Sequence, residues 1–354
     1  MQSFTSTIFM GILSINERLR MERKTATIQD VARMAGVSTA TVSRTLSKPS
    51  VVAEATRDAV LKAVQESGYR VNSTASNLRR QRTGSVIALV PNLANTFFSQ
   101  ILAGLSSVLT QAQYGLLLAD TQAGPDPDAR LAHYLTSGQA DGLILFDGTL
   151  SCAPLGMPGR PPVMMACEWM GSDLPSVRVE NAGGAGLAVD HLVDLGHRSI
   201  GHVLGPRGNV LTEARFDGFR AAMSRHGLRL RDDWLFAGDY SMDSGAAAAR
   251  RWLQMPDRPT ALFLSSDEMA VGFLGVVQHA GVSVPGDISL IGFDNIAVVE
   301  HLTPALTTIR QPRTLIGERA AELLLDMIDH GRLTGPSEVI PVELIRRKSA
   351  APPR

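Results

Sequence analysis

The chain has almost no cysteine, no net charge and no long apolar run, and each absence removes a class of protein. Two cysteines in 354 residues, Cys152 and Cys167, cannot build a disulfide framework. A small secreted scaffold is thereby excluded, and nothing points to an oxidising compartment. No apolar stretch reaches the ~18–20 residues that span a bilayer, so an integral membrane protein is excluded and no membrane partner is expected. Collagen and coiled coil are excluded on composition. There is no G-x-G-x-x-G turn, no P-loop and no G-x-S-x-G elbow, so no cofactor and no catalytic residue is expected. His191, His197 and His202 have no Cys or carboxylate at metal-ligand spacing, so no metal site is expected either. His197 follows Leu195-Gly196 and reads as a cap at a helix C-terminus.

What is present is ample core material. Hydrophobic residues make up 44% and charged residues 19%, enough for two or three folded domains. The formal charge of zero, 34 basic against 34 acidic side chains, hides an asymmetry. Residues 21–84 carry 11 Lys/Arg and five acids, a balance of +6, and residues 1–20 add +1, which leaves −7 for the rest. A basic head on an acidic body implies that the head meets a polyanion and the body does not.

Residues 1–24 fit nothing downstream. They lack the basic n-region and cleavage site of a signal peptide, and read as a disordered leader or a mis-assigned start with Met21 as initiator. Helical signals begin at Thr27, an N-cap followed three residues later by Asp30. Val31, Met34 and Ala35 repeat at helical spacing, and Gly36 turns the chain. Ser38 caps a second short helix with Val42 and Leu46 on its apolar side. A third runs from about Ala53 to Ser67, with Val60 and Val64 inward and Gly68 as its stop. Val31, Met34, Val42, Leu46, Val60 and Val64 form the expected core. The second helix turns Thr39, Ala40, Ser43 and Arg44 outward. Short side chains let a helix sit deep in a major groove, and a guanidinium can bond two guanine acceptors.

Residues 27–46, Thr-Ile-Gln-Asp-Val-Ala-Arg-Met-Ala-Gly-Val-Ser-Thr-Ala-Thr-Val-Ser-Arg-Thr-Leu, closely resemble the headpiece signature of the LacI/GalR (lactose-repressor) family of bacterial transcription regulators. The resemblance implies that Thr39, Ala40 and Arg44 read base edges. It implies that Thr27, Ser38, Thr41, Ser43, Thr56, Tyr69 and Asn72 touch phosphates or support that docking. The family usually has Ser where Ala53 stands. In this family the segment that follows folds into a hinge helix on operator DNA, and a leucine at the position of Leu78 wedges into the minor groove. Arg79, Arg80 and Arg82 are then placed to meet flanking phosphates. On composition alone, residues 71–84 read as a linker rather than a helix, since a helix this short is marginal by itself.

From Ser85 onward short apolar runs alternate with helical segments: 86–90, 116–119, 142–146, 163–166, 200–204, 261–264 and 288–293. Apolar runs without alternation suit strands buried on both faces, hence parallel sheets covered by helices. So many strands imply two doubly wound lobes, and ligands bind such folds beyond the carboxyl ends of strands. Those ends carry Pro91 through Phe98, Cys167-Glu168, Ser265-Ser266-Asp267 and Gly292 through Asn295.

The body is similar to the effector domain of the same family, itself similar to periplasmic sugar-binding proteins. Matching stretches include Arg215 with Gly218-Phe219, Val284-Pro285-Gly286-Asp287, Gly292-Phe293-Asp294 and Leu302 through Gln311. The expected organisation is a helix-turn-helix headpiece at 25–70, a hinge or linker at 71–84 and an effector-binding, dimerising body at 85–354. Its lobes combine 85–181 with 312–340 and 182–311 with 341–354. The resemblance implies that Arg215 and Asp294 bind effector hydroxyls or carboxylates and that Phe97 and Phe98 pack on a ring. Asn95, Cys167, Glu168, Ser266 and Asp267 complete the expected effector site. Sugar responders often carry Asn at position 266 and an Asp-Arg pair at 167–168, so a sugar, a sugar-derived acid and a non-sugar ligand all stay open. The implied protein is a cytoplasmic homodimer on a pseudopalindromic operator in double-stranded DNA, controlled by a small-molecule effector, and not an enzyme. The helix at about 313–329, with Leu323, Leu324 and Met327, suits either a dimer seam or the core. A transport solute-binding protein would explain the body but not the head, and an NAD-linked enzyme lacks the glycine-rich turn.

Overall fold

The structure, a computed structural model, describes residues 26–69, 82–122, 124–171 and 174–354. The leader at 1–24, Asn72, Leu78, Arg79, Arg80 and most of the 71–84 segment lie outside the described residues. The chain divides into two compact units, 1–80 and 81–354.

The first unit holds α1 (Ile28–Ala35), α2 (Thr39–Ser47) and α3 (Glu54–Ser67). A capping box starts α1: Thr27 N donates to Asp30 Oδ2 at 3.0 Å and Asp30 N donates to Thr27 Oγ1 at 3.4 Å. Gly36 ends it in the left-handed conformation, at φ 67°. Ser38 Oγ starts α2 by accepting from Thr41 N at 3.1 Å. Val31, Ala32, Val42, Val60 and Ala63 form the small core, with Ile28, Leu46, Val64 and Tyr69 packed against it. Met34 is not in that core. It is 51% exposed, because at this point of α1 the inward positions go to Val31, Ala32 and the half-buried Ala35. Ala53 stands at the N-cap of α3 and makes no side-chain cap bond. Ala53→Ser is expected to stabilise this unit by about 1 kcal/mol. An unchanged or lower unfolding midpoint would contradict that placement of the cap.

The second unit contains two six-stranded sheets. The first carries β1 (Ser85–Val90), β2 (Gly115–Asp120), β3 (Gly142–Leu145), β4 (Val163–Ala166) and β5 (Ser176–Val179). Between them run α4 (Phe98–Gln111) and α5 (Pro127–Thr136). The second carries β6 (Ile200–Val203), β7 (Leu235–Phe236), β8 (Ala261–Leu264), β9 (Ser289–Asp294) and β10 (Thr307–Arg310). Its helices are α6 (Asn181–Asp194), α7 (Val210–Arg225), α8 (Met242–Gln254) and α9 (Asp267–His279). The chain then returns through α10 (Arg313–His330) and β11 (Glu338–Ile340) to the first sheet, and ends through β12 (Glu343–Ile345) in the second.

Strand order is β11-β5-β4-β3-β1-β2 in the first sheet and β12-β10-β9-β8-β6-β7 in the second. All pairs are parallel except β12 with β10. The central strands β3, β4, β6, β8 and β9 are buried along their whole length, as helices on both faces require. The run at 116–119 departs from this: β2 is an edge strand, and Leu117 and Leu118 are about half exposed. On α10, Leu324 and Met327 are buried against the first sheet and α4, so that face belongs to the core.

The three histidines stand apart in role, and among the described residues no cluster could hold a metal. The His197 ring caps no helix; it bonds Thr260 Oγ1 and the Ala351 carbonyl, both at 2.9 Å, tying the C-terminal tail to the second sheet. His202 is fully buried in β6, stacked on Phe219 and Phe263. Burial pushes its imidazole down to about 4. The unfolded chain takes up a proton near pH 6.5 that the folded chain refuses until about pH 4, so this contribution is full above pH 6.5 and lost as pH falls. The stability gap between wild type and His202→Phe is expected to shift against the wild type by about 2 kcal/mol between pH 7 and pH 5. Parallel urea midpoints across that range would contradict it.

Candidate functional site

In the first unit, Ser38, Thr39, Ala40 and Arg44 are exposed along α2 and its approach, and Thr27 is exposed at the start of α1. Thr41 and Ser43 are half-buried on the same helix, and Thr56 is half-buried on α3. Arg44 has no carboxylate partner among the described residues, whereas Arg33 pairs with Asp30 at 3.2 Å and Arg57 lies 3.9 Å from Glu54. A guanidinium beside short side chains is the surface that a duplex groove accepts. Tyr69 packs on the small core, which gives its ring a structural role at the base of α3. Arg82 lies along the surface of the body, paired with it. Its Nη1 donates to Asp329 Oδ1 at 2.8 Å and to Tyr114 OH at 3.3 Å, so the guanidinium is committed to the body rather than to flanking phosphates.

In the second unit a cleft of about 280 Å³ lies between the carboxyl ends of the two sheets. Asn95, Phe97, Phe98, Cys167, Glu168, Arg215, Ser266 and Asp294 all line it. Asp267 does not. It is fully buried beneath the site, where Oδ2 accepts from Ile296 N at 2.9 Å and Oδ1 accepts from Thr308 Oγ1 at 2.6 Å. As the first residue of α9, its carboxylate satisfies lobe groups that no solvent reaches.

Arg215, Asp294 and Glu168 are each held by partners in the wall. Arg215, in the second turn of α7, is 2% exposed. Its Nε donates to Asn181 Oδ1 at 2.9 Å, Nη1 donates to the Ser265 carbonyl, and the guanidinium lies 3.8 Å above the Phe293 ring. Asp294 ends β9, and its Oδ1 accepts from Gln311 Nε2 at 2.7 Å. Burial pushes the Asp294 carboxyl up, against the pull of Arg215 and Gln311. Glu168 Oε2 accepts from Gly148 N at 2.6 Å and Oε1 accepts from Asn209 Nδ2 at 2.7 Å. Burial raises its carboxyl too. Burial also raises the Cys167 thiol, which keeps it protonated and unreactive. The aromatic wall is Phe97 against Phe98, ring centroids 5.1 Å apart at 75°, with Phe98 in turn on Phe146.

Cys167, Tyr240 and Asp294 hold φ of 70°, 69° and 119°. Such backbone strain in non-glycine residues gathers where function over-determines geometry. The sequence argument missed Asn209, Tyr240 and Asp147, which also line the cleft. Each follows a strand end, of β6, β7 and β3. Extending the strand-end rule to every apolar run would have found Asp147 and Asn209. Tyr240 follows a two-residue strand that has no apolar run to announce it.

Known proteins share both units. Residues 27–72 match the family described as bacterial regulatory proteins, lacI family, and residues 189–350 match the periplasmic binding protein-like domain. The HTH-type transcriptional repressor CytR of Escherichia coli (strain K12) is 35% identical over 335 residues, covering 94% of this chain and 98% of its own. The solved lac repressor dimer bound to operator and the anti-inducer ONPF aligns with a TM-score of 0.81 at 28% identity, covering 93% of this chain and all of that one. The transcriptional regulator CelR–cellobiose complex aligns at 0.70 and 31% identity, covering 92% and 99%. No helix among the described residues is long and apolar enough to cross a membrane. The chain belongs to the LacI family of bacterial regulatory proteins, and is a DNA-binding transcriptional regulator rather than an enzyme.

Proposed function

We propose that the chain is a cytoplasmic, homodimeric repressor whose grip on a pseudopalindromic operator is set by a sugar or sugar-derived acid bound between the lobes. The observation that carries this reading is the cleft itself, which draws Phe97, Phe98 and Glu168 from the first lobe and Arg215, Ser266 and Asp294 from the second. Aromatic walls with a few oriented polar groups suit a hydroxylated ring. A ligand that touches both lobes changes their angle, and that change is the free energy that reaches DNA. The repressor and sugar assignments draw on what CytR and CelR are named for.

In this reading residues 25–70 bind one half-site each, residues 71–84 join the units, and residues 85–354 sense the ligand. Thr39, Ala40 and Arg44 read bases. Thr27, Ser38, Thr41, Ser43, Thr56, Tyr69 and Asn72 position the backbone, and Leu78 is the minor-groove wedge. The half-exposed Leu117 and Leu118 on edge strand β2 supply apolar surface that a second copy would cover.

The test pairs a ligand screen with one substitution. Thermal shifts against neutral sugars and sugar acids should find a stabilising compound, and that compound should change affinity for DNA fragments selected from the genome. Arg44→Ala should lose about 10- to 100-fold on selected fragments and much less on scrambled DNA. Equal losses on both would contradict base reading by α2.

A further inference from the structure

Arg313 opens α10 where the chain passes from the second sheet back to the first, and it is 3% exposed. Its Nη1 donates to the Phe97 carbonyl at 3.1 Å and its Nη2 to the Asn295 carbonyl at 3.0 Å. Phe97 precedes α4 in the first lobe, and Asn295 follows β9 in the second. One buried guanidinium therefore spans the two lobes, beside the cleft but outside its lining. Its Nε is buried without a hydrogen-bond partner, a cost that a purely structural position would be free to avoid with an apolar side chain.

From this clasp α10 runs 18 residues, about 27 Å at 1.5 Å per residue. It lies hard against α4, because Gly104 and Gly317 leave room for backbone contact. Its far end holds the start of the body. Asp329 accepts from Arg82 Nη1 at 2.8 Å and the Ile328 carbonyl accepts from Nη2 at 3.3 Å. Thr83 N and Gly84 N donate to Asp141 at 2.7 and 2.9 Å. The body's first described residues, Arg82 to Gly84, thus sit at the end of the same helix whose beginning grips the other lobe.

We propose that Arg313 is a positioning residue that clasps the second lobe to α10, and that α10 carries the lobe angle to the Arg82–Asp329 pair from which the DNA-binding unit departs. The inference rests on the reading that lobe angle controls DNA affinity. Breaking the clasp frees the angle, and breaking the Arg82–Asp329 pair leaves the angle fixed while loosening what it controls.

The experiment uses the full chain carrying Cys152→Ser, with spin labels on Gln139→Cys and Arg250→Cys, one exposed site in each lobe. Pulsed dipolar spectroscopy reads the lobe-to-lobe distance, and a parallel titration reads affinity for fragments selected by the wild-type chain. Arg313→Met is expected to broaden the distance distribution and weaken binding at least about tenfold. Arg313→Lys should restore part of both. Asp329→Asn, at an exposed pair, should leave the distribution as in wild type yet weaken binding to a similar degree. A folded Arg313→Met with an unchanged distribution, or Asp329→Asn that binds selected fragments like wild type, would overturn the proposal. If Arg313→Met does not fold, Arg313→Lys supplies the same two readouts, with broadening expected and a wild-type distribution contradictory. If the wild-type chain selects no fragment, the DNA reading fails while the distance measurement still judges the clasp.

Discussion

Arg215→Met is expected to lower the unfolding free energy of the body by roughly 3 kcal/mol and to remove every ligand-induced thermal shift that the wild-type chain gives. The guanidinium is buried and forked. It satisfies Asn181 Oδ1 at the start of α6 and the Ser265 carbonyl at the end of β8, and lies flat on Phe293. Methionine keeps most of the volume but leaves both acceptors unbonded in a place that water does not reach, each a loss of about 1–3 kcal/mol. It also withdraws the positive charge that favours ionisation of Asp294 and Glu168, so both carboxyls rise further. Arg215→Lys should rescue little, since one ammonium cannot make the fork and the stacking contact together. Urea unfolding and the ligand screen check the two halves separately. Wild-type stability, or a retained shift with the same compound, would contradict this role.

Gly317→Ala is expected to cost roughly 3 kcal/mol, although alanine is the better helix former. A Cβ at 317 would stand 2.1 Å from the Ile101 carbonyl oxygen, and one at 104 would stand 2.2 Å from the Thr314 carbonyl oxygen. The opposing atoms are backbone, so relief requires α10 and α4 to separate along their whole contact, opening the core that holds Leu105, Ile316 and Leu324. Gly275→Ala in α9 is the control. A Cβ there meets nothing within 4 Å, so that change should stabilise by roughly 0.5–1 kcal/mol through helix propensity. Chemical denaturation of both variants gives opposite signs if the close approach is real, and the same sign if it is not. The same logic joins α8 to α9, where a Cβ on Gly272 would stand 1.9 Å from the Met242 carbonyl oxygen.

Six of the seven strands that the sequence announced are buried on both faces; the seventh, β2, is an edge strand with Leu117 and Leu118 half exposed. β1, β3, β4, β6, β8 and β9 are apolar runs because helices cover them above and below. β5, β7, β10, β11 and β12 went unannounced. Ser176-Val-Arg-Val and Thr307-Thr-Ile-Arg mix polar and apolar positions, β7 is two residues long, and β11 and β12 lie at sheet edges. Their pairing is imposed by the sheet rather than by their own composition. The headpiece was legible almost residue by residue, since caps at Thr27, Ser38, Gly36 and Gly68 are local chemistry. Met34 was misplaced because a helix of eight residues offers too few turns to fix its inward face from spacing alone.

The cleft is legible in the sequence through the strand ends that carry Phe97, Glu168, Ser266 and Asp294. Asp267 was named on the same ground, yet its carboxylate turns under α9 to Thr308 and Ile296. Adjacency to a strand end places a backbone at the site but does not aim its side chain. Arg313 was hidden for the opposite reason. Its partners, Phe97 and Asn295, are remote in sequence, and no local pattern reports a contact between lobes.

The most direct measurement is selection of fragmented genomic DNA by the purified full-length chain at fixed salt, with and without the sugars and sugar acids of the screen, against scrambled competitor. The account predicts enrichment of fragments that share an inverted pair of half-sites, together with at least one compound that changes their recovery. Uniform recovery of all fragments, unaltered by any compound and equal to the scrambled competitor, would contradict it.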